Sequence, residues 1–154
     1  MQALASDAIE LHDQPGHLIR RAQQIAVSVF YDTLGRQVTP VQYAALKTLQ
    51  EKPGIDQVTL AQAVALDTSS AAEIAARLET KGWITREIVA RGQRRLHLTP
   101  EGTALLGGMD EGVPALQETL LGALTEAERD DFMRLLRKFV EVNNERSRAP
   151  LRRN

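Results

Sequence analysis

The chain has 154 residues, 43% apolar and 25% charged, with a net charge of −1. That length suits one compact domain or a small core with helical extensions, and the near-neutral total excludes a polycation acting as a whole. The absence of cysteine excludes disulfides, thiolate zinc sites and cysteine redox sensing.

No apolar run approaches the roughly 18 residues that cross a bilayer, so no membrane partner is expected. The opening MQALASDAIELHDQPG is acidic and has no basic start before an apolar core. It does not read as a secretory signal, and the protein is expected to be cytoplasmic. Residues 1–14 are expected to be a flexible N-terminus.

Pro15 suits the first turn of a helix, where its missing N–H costs nothing. Apolar residues then recur at Leu18, Ile19, Ala22, Ile25, Ala26, Val29 and Phe30, a 3.6-residue period that predicts a helix to about Leu34, closed by Gly35. Thr39-Pro40 opens the next helix as cap and first residue, with Val41, Ala44, Ala45, Leu46 and Leu49 on its face. Pro53-Gly54 stops it. Asp56 caps a short helix bearing Leu60, Ala61 and Val64. A break at Leu66-Asp67 leads into a helix from about Thr68 to Thr80, capped by Asp67 or Thr68 and closed by a left-handed Gly82.

Trp83, Ile84, Thr85, Ile88 and Val89 favour strand, as does Arg95 to Leu98, with Leu96 and Leu98 on one face. Ala90 to Gln93 makes the turn between them. Thr99-Pro100 starts a helix to about Leu121, in which Gly107, Gly108, Gly112 and Pro114 predict weakness and a bend. Thr125 and Glu128 form a capping box for a last helix carrying Phe132, Leu135, Leu136, Phe139, Val140 and Val142. The basic tail 147–154 is expected to be disordered.

Helix, tight turn, helix and hairpin, in that order, are the plan of a winged helix, which sets one helix in the DNA major groove and a loop beside it. The fold class is therefore mainly α with a small β-hairpin: a winged helix-turn-helix lobe over about 39–99. From Arg77 to His97 six basic residues face two glutamates, a local charge of +4. Such a patch can neutralise phosphates while the compensating acids lie mostly toward the two ends of the chain.

The helix from Thr68 is the candidate recognition helix. Ala71, Ile74, Ala75 and Leu78 form its inner face. Thr68, Ser69, Ser70, Ala72 and Glu73 point outward, short enough for close approach to base edges. Arg77, one turn on, can reach a backbone oxygen, and so can Arg86 or Arg94. Arg91, on the hairpin turn, fits a narrow minor groove, where negative potential concentrates. Arg94 and Arg95 alternate in direction, so at most one shares a face with Arg91. A plain amphipathic helix and a solvated hairpin are the bland alternatives.

The chain resembles MarR-family transcriptional regulators from about Pro15 to Val142. The resemblance lies in TPVQYAAL (39–46), LAQAVALDTSSAAEIAARLETKGWITRE (60–87), LTPEG (98–102) and LTEAERDDFMRLLRKF (124–139). It implies a homodimer joined through N- and C-terminal dimerisation helices at about 15–35 and 100–146, binding a pseudo-palindromic operator in double-stranded DNA. The family's wing carries Asp-x-Arg about six residues before the Leu-Thr pair. Ala90, Arg91 and Gly92 stand there instead, so the aspartate is missing and the arginine sits one place early.

His17, Arg21, Gln24 and Ser28 form one polar stripe on the first helix. Arg21 offers paired N–H donors to a carboxylate, and His17 can exchange a hydrogen bond with a hydroxyl. Tyr43 is expected to close the pocket. The resemblance implies a crevice for a small organic acid, often aromatic or phenolic. A stripe facing solvent or a partner helix is the alternative. The histidines His12, His17 and His97 lack metal-ligand spacing, and there is no phosphate-cradling glycine loop or paired-carboxylate site. No cofactor, metal or enzyme activity is expected. The combined reading is a ligand-released repressor. Its rivals are a constitutive DNA binder and a winged-helix module that docks proteins.

Overall fold

The structure is a computed structural model that describes residues 8–153. After a 3-10 turn at Leu11–Asp13, six helices and one hairpin follow: α1 Pro15–Leu34, α2 Pro40–Glu51, α3 Gln57–Ala63, α4 Thr68–Thr80, β1 Ile84–Ile88, β2 Arg94–Leu98, α5 Pro100–Leu121 and α6 Glu126–Val142. The mainly α fold with its small hairpin is as expected. The first seven residues of the proposed flexible N-terminus lie outside the described residues.

Local chemistry sets most boundaries. Thr39 and Thr125 form full capping boxes with Gln42 and Glu128. Asp56 and Asp67 accept the Thr59 and Ser70 N–H groups at the starts of α3 and α4. Each cap satisfies a donor that the first helical turn leaves without a partner. The break between α3 and α4 turns on Ala65, at φ +55°, and the Leu66 N–H closes it onto the Ala61 carbonyl at 2.8 Å. Gly82 is left-handed at φ +79° and ends α4 as expected.

The core lies where α2, α3, α4, the hairpin and the start of α5 meet. Leu46, Leu49, Leu60, Leu78, Ile84, Leu96 and Leu106 are its largest sealed side chains, each contributing about 2 kcal/mol over an exposed position. In the antiparallel hairpin Ile84 pairs with Leu98 and Ile88 with Arg94. Residues 54–56 run along the far edge of β2: Gly54 N–H donates to Leu96 O, Leu96 N–H to Ile55 O, and Asp56 bridges Arg95. These bonds tie the start of α3 to the wing.

α5 runs to Leu121, as expected, and stays helical through Gly107, Gly108, Gly112 and Pro114. Its packing against α1 and the hairpin outweighs the local propensity. The C-terminal tail is folded rather than loose. Ala149, Pro150 and Leu151 are half-buried, and the Arg152 N–H donates to Gln62 O at 2.8 Å. No described helix is long and apolar enough to cross a membrane.

Candidate nucleic-acid interface

α4 presents its N-terminus with Thr68 and Ser69 exposed. Ser70 is committed elsewhere: its N–H donates to Asp67 Oδ1 at 2.7 Å and its hydroxyl to Oδ2 at 2.9 Å. These two bonds hold the Asp67 carboxyl below the usual carboxylate range. Ser70 therefore builds the cap instead of projecting a free hydroxyl. Ala72 is half-buried. Glu73 projects, and its carboxylate pairs with Arg77 one turn on at 2.6 Å.

Arg86 is the least free of the expected phosphate contacts. It reaches back from β1 to Glu79 of α4 at 2.9 Å, with 18% of its side chain exposed. That bond, more than any other influence, lowers the Glu79 pKa, and the field of Arg94 adds to it. The pair braces the wing against α4.

Arg91 and Arg94 are exposed. Arg91 has φ +65° and ψ +24°, Gly92 follows at φ +72°, and the Val89 N–H closes the turn on Gln93 O at 2.8 Å. The wing and the start of α3 enclose a groove of about 530 Å³, lined by Asp56, Gln57, Thr59, Arg91, Gln93 and Arg94. Gln57 Oε1 is buried without a hydrogen bond among the described residues. Sequence reasoning missed this residue, because a glutamine after a helix cap carries no local signal of its surroundings.

The expected ligand residues divide into two groups. His17 is half-buried, with its ring edge-on to His12 at 5.6 Å between centroids and Nδ1 3.4 Å from the Arg20 guanidinium. Arg20, not singled out from the sequence, is thus its charged neighbour. Arg21, Gln24 and Ser28 are exposed in the single chain. Tyr43 packs against Phe30 near the other end of α1, with ring centroids 5.9 Å apart. At 1.5 Å per residue, Phe30 stands about 20 Å along the helix from His17.

The Tyr43 hydroxyl donates to Asp110 of α5 at 3.2 Å, and Lys47 binds the same carboxylate at 2.8 Å. Burial, then the nearby Asp110 charge, raises the Tyr43 pKa. One chain therefore brings Tyr43 to Asp110 and Lys47, and leaves His17 and Arg21 at the far end of α1.

A family model described as the MarR family matches residues 38–94. The transcriptional regulator HosA of Escherichia coli is 36% identical over 107 residues, 68% of this chain and 79% of that protein. The PcaV transcriptional regulator of Streptomyces coelicolor, solved in complex with its natural ligand, superposes with a TM-score of 0.81 at 31% identity, covering 87% of this chain and 96% of that one. BpsR of Bordetella bronchiseptica, solved to explain regulation of its DNA binding by 6-hydroxynicotinic acid, gives a TM-score of 0.80 at 28% identity over 87% and 98% of the two chains.

Proposed function

The chain belongs to the MarR family of transcriptional regulators, and from that premise we propose a homodimeric repressor that a small aromatic or phenolic acid releases from a pseudo-palindromic operator. Family membership makes it a DNA-binding winged-helix regulator and not an enzyme. The observation that carries the operator reading is one rigid unit: a capped helix start exposing Thr68 and Ser69, braced through Glu79–Arg86 to a wing that projects Arg91.

In this reading α4 enters the major groove with Thr68, Ser69, Ala72 and Glu73 toward the bases, and Ser70 holds the cap. Arg91 enters the minor groove, and Arg77 and Arg94 meet phosphates. Two lobes, one from each protomer, read half-sites about 10 bp apart. The acid's carboxylate meets Arg21 and its hydroxyl meets His17, with Gln24 and Ser28 further along the stripe. Tyr43 then serves the crevice from the α2–α5 side. BpsR supports the ligand class, because a hydroxylated heteroaromatic acid regulates its DNA binding. Linkage requires acid and operator to weaken each other by one factor, about 1–3 kcal/mol.

The test starts with duplexes that the full chain enriches from a random-sequence pool. Binding should fall steeply as salt rises. Benzoate, 4-hydroxybenzoate and 6-hydroxynicotinate are then screened by thermal shift and by duplex release. Arg21→Ala should abolish release while leaving DNA affinity intact. Tight DNA binding that no acid changes would make the protein a constitutive binder, and no enrichment at all would overturn the operator reading.

A further inference from the structure

The residues after α6 form a folded strap on the helix-turn-helix. A 3-10 turn at Asn144–Arg146 starts it. The Asn144 side chain then clasps Leu151 in both directions: Nδ2 donates to Leu151 O at 2.9 Å, and Oδ1 accepts the Leu151 N–H at 2.8 Å. The Arg152 N–H docks the strap on Gln62 O in the last turn of α3. The strap carries four arginines, at 146, 148, 152 and 153, and one glutamate. Glu145 pairs with Arg152. Arg146, Arg148 and Arg153 are exposed and form no ion pair among the described residues.

Position gives these cations a partner. α3 is the first helix of the helix-turn-helix, and in that motif the first helix crosses the DNA backbone while the second lies in the groove. Gln62 is separated from Asp67, the cap of α4, only by the tight turn. Three unpaired guanidiniums are thus clipped beside the element that meets phosphate, on a chain whose net charge is −1. We propose that the strap is an additional DNA-backbone site, in which Arg148 and Arg153, supported by Arg146, bind phosphates flanking each half-site. This rests on the operator reading above.

The test compares the full-length wild type with Arg148→Ala/Arg153→Ala on one enriched duplex and on a scrambled duplex, each from 50 to 250 mM salt. Losing one phosphate contact lowers the slope of log K against log salt by about 0.9, so losing both arginines from each protomer of a dimer, four contacts, lowers it by about 3.6. The double variant should bind both duplexes more weakly by a similar factor with a shallower slope, and Arg148→Lys/Arg153→Lys should keep the wild-type slope. Wild-type slope and affinity in the alanine variant would overturn the inference. So would a lower affinity with unchanged slope and a lower melting temperature, because the strap would then only tie α6 to α3. Failure of the wild type to bind either duplex would instead strike the operator reading itself.

Discussion

Arg91 occupies a backbone conformation that favours glycine, at φ +65°, and a non-glycine residue pays about 1–2 kcal/mol there. Gly92 beside it takes the same region without strain. An arginine at such a position fits the proposed groove contact, which would need its side chain on the wing. Arg91→Gly should raise stability by up to about 1 kcal/mol, after the extra freedom of glycine in the unfolded chain is subtracted. It should also weaken operator binding as much as Arg91→Ala, which keeps the strain. Thermal unfolding and DNA titration of the two variants separate the effects; equal melting temperatures would remove the strain account. Glu79 gives a pH-dependent counterpart. Its pKa is lowered in the fold, chiefly by the Arg86 hydrogen bond. The unfolded state therefore binds the proton more tightly, and the pair stabilises the fold above the ordinary glutamate pKa near 4.3. That contribution disappears as pH falls through the lowered value. Arg86→Met should accordingly cost melting temperature at pH 7, and the gap from wild type should shrink at pH 3. A gap independent of pH would mean that Arg86 acts through packing alone.

Within α5, glycine has two opposite meanings. A Cβ on Gly102 would stand 2.1 Å from the Trp83 carbonyl oxygen, which is backbone and has no rotamer to escape into. The same carbonyl accepts the Thr99 N–H at 3.0 Å, so the helix start and the end of α4 are locked together there. A Cβ on Gly112 would meet Leu34 Cδ2 at 2.6 Å, the end of a flexible side chain. Gly102→Ala should destabilise by about 3 kcal/mol, at the upper end of overpacking costs. In Gly112→Ala the gain of up to about 1 kcal/mol in helix propensity offsets the Leu34 rearrangement. Chemical denaturation of both variants checks the contrast, and equal effects would refute it. This asymmetry marks the limit of sequence reading. Caps and turns at Thr39, Asp56, Asp67, Gly82 and Thr125 were legible because a few adjacent residues decide them. The expected weakness of α5 came from the same local rules, but partners on α1 and the hairpin decide its course. The Asp110 clasp on Tyr43 and Lys47 and the docking of Arg152 on Gln62 join residues far apart in the chain. No periodicity signals such pairings, so a basic tail read as loose and the partners of Tyr43 on α5 went unread.

At the scale of the molecule, one chain leaves apolar surface that it cannot cover. α6 contains no buried residue, and Phe132, Leu135, Leu136, Phe139 and Val140 are each 43–53% exposed. Leu135, Phe139 and Val142 line an open groove of about 410 Å³. On α1 the regular apolar face read from the sequence buries only Phe30, while Leu18, Ile19 and Ile25 remain about half exposed. A 17-residue helix that buries none of its residues, tied to α5 through the exposed Arg129–Glu118 ion pair, is marginal in water. The periodicity of both helices fits the proposed dimer, in which a second copy would complete this core, and a specific interface of that kind buries at least about 1,200 Å². Phe139→Asp puts a charge into that surface without touching the winged lobe. It should turn a dimer into a monomer in sedimentation and reduce the helical circular dichroism signal as α6 frays. The hairpin and core should keep their protection from hydrogen exchange. Operator affinity should fall by at least about 100-fold, because two linked half-site contacts become one. A wild-type chain that sediments as a monomer at micromolar concentration with α6 fully protected would defeat this account. The helix would then be stable with its apolar side in water, and the two-lobed grip on DNA would have no physical basis.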